Sequence, residues 1–162
     1  MLEPLRQWIC DACGQIIGAP DHGFVEWKET DRGKKYGFRI VHNAKYSPRK
    51  DNGGDCFYSH QERGGDLYLE RIIGLEGLVT LTSWIDVGEW HHDDYPGPSV
   101  LNLREWVTLV RRVQLPHYEQ ARFCTDALSE PRDCELNEYA FYLPEQLKRI
   151  IEAHENRNAM ST

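Results

Sequence analysis

This 162-residue chain lacks any apolar run of about 18 residues, the length that a membrane-spanning helix requires. Its first residues, 1–6, also lack the apolar stretch of a secretory signal. We therefore expect a cytoplasmic protein with no membrane association. The sequence contains no phosphate-binding glycine loop, nucleophile elbow or dinucleotide-binding glycine pattern, which excludes the enzyme classes that depend on them.

Cysteine is scarce and its count is odd. Five cysteines without a repeating spacing do not suit a disulfide framework, and they favour reduced thiols in the cytosol. Basic residues are also in the minority, because 19 Lys and Arg stand against 26 Asp and Glu, for a net charge of −7. This balance argues against a general nucleic-acid-binding protein.

Hydrophobic residues make up 40% of the chain, which is enough for a core. Segments 24–27 and 36–42 are rich in aromatic and β-branched residues, and a polar stretch containing Gly33 separates them. This pattern predicts a β-hairpin. The residues around Pro48 and 52–54 have turn-forming types, so we expect a loop that leads to Cys56.

From residue 66 onward the spacing of apolar residues becomes helical. We predict a helix over about residues 75–86 whose inner face carries Leu75, Leu78, Val79, Thr82 and Ile85, with Leu81 and Trp84 broadening the stripe. Asn102 and Glu105 match a capping box and predict a second helix that ends near Leu115.

Two prolines predict the starts of further helices. Pro116 suits the first turn of a third helix, which carries Tyr118, Ala121, Phe123, Cys124 and Leu128. Pro144 opens a final helix with Leu147, Ile150 and Ile151 turned inward, and segment 136–142 fits either a strand or a helix. The sequence thus predicts an α+β protein in which a β-hairpin module, residues 1–62, packs against a helical unit, residues 66–158.

The most informative motif is Cys10-Asp11-Ala12-Cys13, followed directly by Gly14. Two thiolates at this spacing can bind one metal ion from a single tight turn, and the glycine permits the left-handed backbone that closes the turn. The motif therefore predicts half of a structural zinc site.

The second pair of ligands must come from elsewhere in the chain. His42, Cys56 and His60 are candidates, and His22 is a weaker one because it precedes the first strand of the hairpin. His42 ends a strand whose apolar neighbours would fix its direction, whereas His60 stands in a polar, exposed stretch. We therefore predict a Cys3His zinc site made by Cys10, Cys13, His42 and Cys56, with His60 as the alternative to His42.

The amino-terminal segment, about residues 8–60, resembles the zinc-ribbon family in its Cys knuckle, its hairpin and its second ligand group. It departs from that family because the usual second CxxC is absent. The resemblance implies a closed zinc site that stabilises a small segment and performs no chemistry.

Residues His42, Asn52 and His60 also resemble the His-Asn-His nuclease family by their order beside a cysteine-bound metal. That resemblance implies a divalent-ion-dependent nuclease in which the first His activates water. The family normally has paired histidines at the first position, whereas Asn43 follows His42 here.

Two other groups contain metal-binding residue types. Residues 91–94, His-His-Asp-Asp, occupy one loop, where adjacent side chains cannot all face one ion, so we expect a solvated loop. Cys124 and Cys134 could form a second metal site together with His117. Cys124, however, lies on the apolar face of its predicted helix, so we predict a buried thiol.

Residues 32–50 are basic and contain no Asp or Glu; the cations are Arg32, Lys34, Lys35, Arg39, Lys45, Arg49 and Lys50. Aromatic residues are interleaved with them, a pattern that single-stranded nucleic-acid binders use for stacking. Strand alternation would instead turn Tyr36, Phe38 and Ile40 inward together. The leading hypothesis is a non-enzymatic zinc-binding protein that contacts a protein or nucleic-acid partner through this basic hairpin.

Overall fold

The computed structural model describes residues 1–50, 54–86, 98–124 and 138–160, which adopt an α+β fold. The strands are β1 (Trp8–Ile9), β2 (Ile16–Ile17), β3 (Gly23–Glu29), β4 (Lys35–His42) and β5 (Gly65–Tyr68). The helices are α1 (Gly74–Ser83), α2 (Leu103–Gln114), α3 (Tyr118–Ala121) and α4 (Pro144–Met160). Short 3-10 turns span Pro20–His22, Leu69–Arg71 and Glu138–Tyr142, the last of which resolves the ambiguous segment 136–142 for its described part.

The predicted hairpin is confirmed, because β3 and β4 pair antiparallel with Gly23 opposite His42 and Glu29 opposite Lys35. The register shifts between Glu26 and Lys28, where Gly37 adopts a φ of 63° on β4. The extra residue at this bulge interrupts the strict alternation that the sequence predicted across Tyr36 and Phe38.

The sheet has a third strand, β5, in the order β4-β3-β5. It pairs antiparallel with β3, with Phe24 opposite Tyr68 and Trp27 opposite Gly65. The helical spacing expected from residue 66 therefore begins only after this strand. Four residues that include Gly and Asp carry too weak a strand signal to be found by pattern.

One buried cluster joins the sheet to the first two long helices. It contains Trp8, Cys10, Ile17, Phe24, Val25, Trp27, Ile40, Val41, Cys56, Leu69, Ile72, Leu81, Trp84, Val100, Leu109 and Val113. The cluster takes residues from both of the predicted units. The hairpin and helices α1 and α2 therefore share a core.

Helix α1 is present, and Leu81 and Trp84 of its predicted inner face are buried, but Leu75, Leu78, Val79 and Thr82 are exposed. Leu75 and Val79 are 83% and 70% exposed, whereas Gly77 and Leu81 are buried. A Cβ on Gly77 would lie 2.0 Å from the carbonyl carbon of Ile72, so only glycine permits this close approach. The helix thus packs through Gly77 and Leu81, and four of the seven residues predicted to face inward are exposed to solvent.

Helix α2 begins at the predicted capping box. The Asn102 side-chain oxygen accepts from the backbone N–H groups of Arg104 and Glu105. Leu109 and Val113 face the core together with Arg112, a charged residue that the apolar pattern did not place there.

Helix α3 is a single turn, shorter than predicted, and Leu128 lies outside the described residues. Helix α4 is confirmed, with Leu147, Ile150 and Ile151 buried. These three form a second small cluster with Ala121 and Cys124. Among the described helices, none has both the length and the apolarity needed to cross a membrane.

Candidate metal centre

The Cys knuckle is the turn between β1 and β2. The backbone N–H of Cys10 donates to the Gln15 carbonyl (2.9 Å), and the N–H of Gly14 donates to the Cys10 carbonyl (2.9 Å). Gly14 has a φ of 73°, the left-handed conformation that the motif predicted for it. This turn presents both thiols on one side, with Cys10 buried and Cys13 half-buried.

The structure brings all four predicted ligands together. The thiols of Cys10, Cys13 and Cys56 and a ring nitrogen of His42 all lie within 4.8 Å of one another. His42 is the last residue of β4, and Cys56 is held in the loop that follows. The four residues are therefore close enough to bind a metal ion.

Specific distances fit tetrahedral coordination. With Zn–S near 2.3 Å and Zn–N near 2.0–2.1 Å, a tetrahedron separates S from N by about 3.6 Å and S from S by about 3.8 Å. His42 Nδ1 lies 3.6 Å from Cys13 Sγ and 3.9 Å from Cys56 Sγ. Thiolates and imidazole are donors for soft and borderline metal ions.

His42 is oriented by a backbone contact. Its Nε2 lies 3.2 Å from the Ile16 carbonyl, which selects the tautomer that donates from Nε2 and leaves the Nδ1 lone pair facing the thiols. Burial lowers the pKa of His42 from its usual 6.5. In the metal-free protein this residue therefore favours the folded state above about pH 6.5, and that contribution is lost as the pH falls through the folded-state pKa.

Cys56 is the most strongly perturbed thiol in the site. It is 1% exposed, and burial raises its pKa to about 12 in the absence of metal. The Ser47 hydroxyl donates to its sulfur over 3.3 Å, which acts in the opposite direction and favours the thiolate. A thiolate at this depth needs a positive charge next to it, and a divalent metal supplies one.

Metal affinity is expected to rise with pH because of this thiol. Metal binding must displace the proton that Cys56 carries at neutral pH, so this group alone increases the affinity about tenfold per pH unit. Competition with a chromogenic chelator between about pH 6.5 and 8.5 measures the slope. An affinity independent of pH over this range would contradict the coordination of Cys56.

A charged network centred on Asp11 holds the knuckle in place. The Asp11 carboxylate accepts from the Ile40 backbone N–H (2.7 Å) and from the guanidinium groups of Arg112 (2.6 Å) and Arg122 (3.2 Å). Arg112 is 5% exposed and also binds Glu119 through Nε (2.7 Å) and its second amino group (3.0 Å). The residue between the two Cys ligands thus ties the knuckle to β4, α2 and α3.

Sequence reasoning missed this network. The usable signal was Asp11 itself, a carboxylate inside a metal-binding turn where it would repel the thiolates unless a cation neutralised it. Its partners Arg112 and Arg122 lie more than 100 residues away, and their pairing with Asp11 has no sequence signature.

The other candidate ligands lie outside the cluster. His60 is exposed, and His22 stacks on Tyr46 with ring centroids 3.7 Å apart. Asn52, residues 91–94 and Cys134 lie outside the described residues. Cys124 is a buried thiol in the α3–α4 cluster, as expected, and burial raises its pKa.

The geometry of His42 weighs against the nuclease hypothesis. A catalytic imidazole must accept a proton from water. Here Nε2 faces a carbonyl and Nδ1 faces two thiols in a buried position, so neither nitrogen is directed to solvent.

The basic segment does not form one continuous surface. Arg39 binds Glu26 through Nε (3.0 Å), Lys35 lies 3.8 Å from Glu29, and Lys34 donates to the Pro98 carbonyl. The exposed cations stand at the two ends of β4: Arg32 at the hairpin turn, and Lys45, Arg49 and Lys50 after His42. Between these two ends, the charges of Lys35 and Arg39 are balanced by Glu29 and Glu26.

Comparisons with protein-family models, with curated proteins and with solved structures find no match to this chain.

Proposed function

We propose that this is a non-enzymatic zinc-binding protein, in which one Zn²⁺ held by Cys10, Cys13, His42 and Cys56 stabilises a zinc-ribbon-like module that contacts a macromolecular partner. The observation that carries this proposal is the convergence of four donors within 4.8 Å in a largely buried position. Three thiols and one imidazole favour zinc over magnesium or calcium, which prefer oxygen ligands.

A structural role fits the donor set better than a catalytic one. Four protein ligands complete a tetrahedron, whereas catalytic zinc keeps a position for water or substrate. Cys10, Cys56 and His42 are 1%, 1% and 5% exposed, so a substrate has little access to the ion. The ion would join the knuckle, the end of β4 and the loop around Cys56.

The cytosol is the compartment that we propose for the protein. Zinc-binding thiolates must stay reduced, and Cys10, Cys13, Cys56 and Cys124 are all free in the structure.

Metal analysis of the purified protein tests the proposal. We expect one zinc per chain by inductively coupled plasma mass spectrometry, retention of that zinc by His60→Ala and its loss in His42→Ala. The reason is that His42 Nδ1 faces the thiols whereas the His60 side chain is exposed.

The two histidine variants also distinguish the structural zinc site from the rival nuclease hypothesis. A His-Asn-His nuclease would cut DNA with added magnesium or manganese, and His42→Ala would stop cutting while the fold survives. Absence of zinc from the wild-type protein, or its retention in His42→Ala, would overturn the proposed site.

A further inference from the structure

The strongest unassigned feature is the loop of residues 43–50, here called the basic loop. Lys45, Arg49 and Lys50 on it are exposed, and none of them forms a salt bridge within 4.0 Å among the residues that the structure describes; Lys45 Nζ lies 4.9 Å from the centroid of the Tyr46 ring. Three cations within six residues are therefore available to an anionic partner. We propose that the basic loop binds the phosphate backbone of a nucleic acid.

The loop is anchored to the metal centre at its start and near its middle. It starts directly after His42, and the Ser47 hydroxyl on it donates to the Cys56 sulfur over 3.3 Å. The inference therefore rests on the proposed function, because the ion that joins His42 to Cys56 also fixes these two points of the loop.

Local contacts hold the shape of the basic loop. The Asn43 side-chain oxygen accepts from the backbone N–H groups of Lys45 (3.0 Å) and Tyr46 (3.3 Å), and its amide donates to the Asp21 carbonyl (2.7 Å). Tyr46 stacks on His22. A loop that is ordered before binding loses less conformational entropy when it meets its partner.

Charge density favours nucleic acid over an acidic protein. Exposed ion pairs between proteins contribute only about 0–1 kcal/mol each, so three cations give an acidic protein surface little affinity. A nucleic acid releases condensed counterions for each phosphate that a cation neutralises, which gives measurable binding at low salt even to a chain of net charge −7. The cations neutralised by Glu26 and Glu29 take no part.

The test uses the metal-loaded full-length protein and fluorescein-labelled 20-nucleotide RNA and DNA, single- and double-stranded, in fluorescence anisotropy titrations. We expect binding at about 50 mM salt. The logarithm of the association constant should fall linearly with the logarithm of the salt concentration, at a slope of about −2 to −3, the value for three phosphate contacts. The triple variant Lys45→Glu/Arg49→Glu/Lys50→Glu should weaken binding at least tenfold and bring the slope close to zero.

A matched control separates local contacts from net charge. The control is the triple variant Arg104→Glu/Lys148→Glu/Arg149→Glu, which replaces three exposed cations on α2 and α4. It changes the net charge by the same amount and should bind nucleic acid as the wild type does. Equal losses in the two variants, binding without salt dependence, or no binding at 50 mM salt would overturn the inference. So would preferential binding of polyglutamate, which would indicate an acidic protein as the partner.

Zinc content and melting temperature are measured on the same samples. A protein that keeps its zinc and fails to bind nucleic acid overturns this inference alone, whereas a protein without zinc overturns the proposed function. Cys56→Ser should lose both zinc and nucleic-acid binding, because it releases one anchor of the basic loop.

Discussion

Replacing Cys56 with serine should abolish metal binding and unfold the amino-terminal half of the protein. Structural zinc contributes about 10–16 kcal/mol of apparent binding energy in small modules, which equals or exceeds the total stability of a typical domain. The knuckle strands β1 and β2 have only two residues each and cannot persist without the ion. Trp8, a fully buried residue of β1, should become exposed to water.

Tryptophan fluorescence and circular-dichroism melting measure this effect. The variant should show a red-shifted emission and a lost or greatly lowered first transition, and a chelator should do the same to the wild type. Cys124→Ser is the matched control, because Cys124 is a buried thiol 4% exposed that lies outside the cluster, and it should keep zinc. Wild-type melting of Cys56→Ser would show that the ion does not stabilise the fold.

Replacing Arg112 with methionine should lower the free energy of unfolding by about 3–5 kcal/mol, the usual cost of removing one partner of a buried ion pair. The variant leaves the carboxylate of Glu119, 6% exposed, without its principal partner, and leaves Asp11 with only Arg122 and the Ile40 N–H. Zinc affinity should fall as well, because the Asp11 contacts hold the turn that carries two ligands.

Urea denaturation and chelator competition measure the two effects of Arg112→Met. Arg104→Met is the control on the same helix, where the side chain is exposed and the change should stay within about 0.5 kcal/mol. A loss of less than about 1 kcal/mol in Arg112→Met, with unchanged zinc affinity, would mean that the network does not support the knuckle.

Features set by neighbouring residues were predictable from the sequence. The Cys10–Cys13 spacing and Gly14 define the knuckle turn, and the alternation of residues 36–42 defines the strand that ends at His42. The meeting of His42 and Cys56 with the knuckle could be predicted because only a few soft ligands exist in this part of the chain. Because the amino-terminal half contains few Cys and His residues, the remaining ligands could be predicted without a second CxxC motif.

Features set by distant packing were not predictable in the same way. Hydrophobic spacing placed Leu75 and Val79 inward, but α1 approaches the Ile72 carbonyl closely through Gly77, and the face that carries Gly77 and Leu81 is buried instead. Glycine has no side chain and does not contribute to an apolar pattern. The pattern therefore cannot predict that the face with Gly77 is the one that packs closely against the backbone of Ile72. The neutralisation of Lys35 and Arg39 by Glu29 and Glu26 likewise depends on the strand register.

The Asp11–Arg112 pair has a consequence for synthesis of the chain. Its two residues are 101 positions apart, and ribosomes add about 5–20 residues per second. The knuckle is therefore synthesised about 5–20 s before the arginine that neutralises Asp11 has been made. During this interval the Asp11 carboxylate has no arginine partner, so we expect the turn that carries the two cysteine ligands to become fully ordered only after α2 has been synthesised.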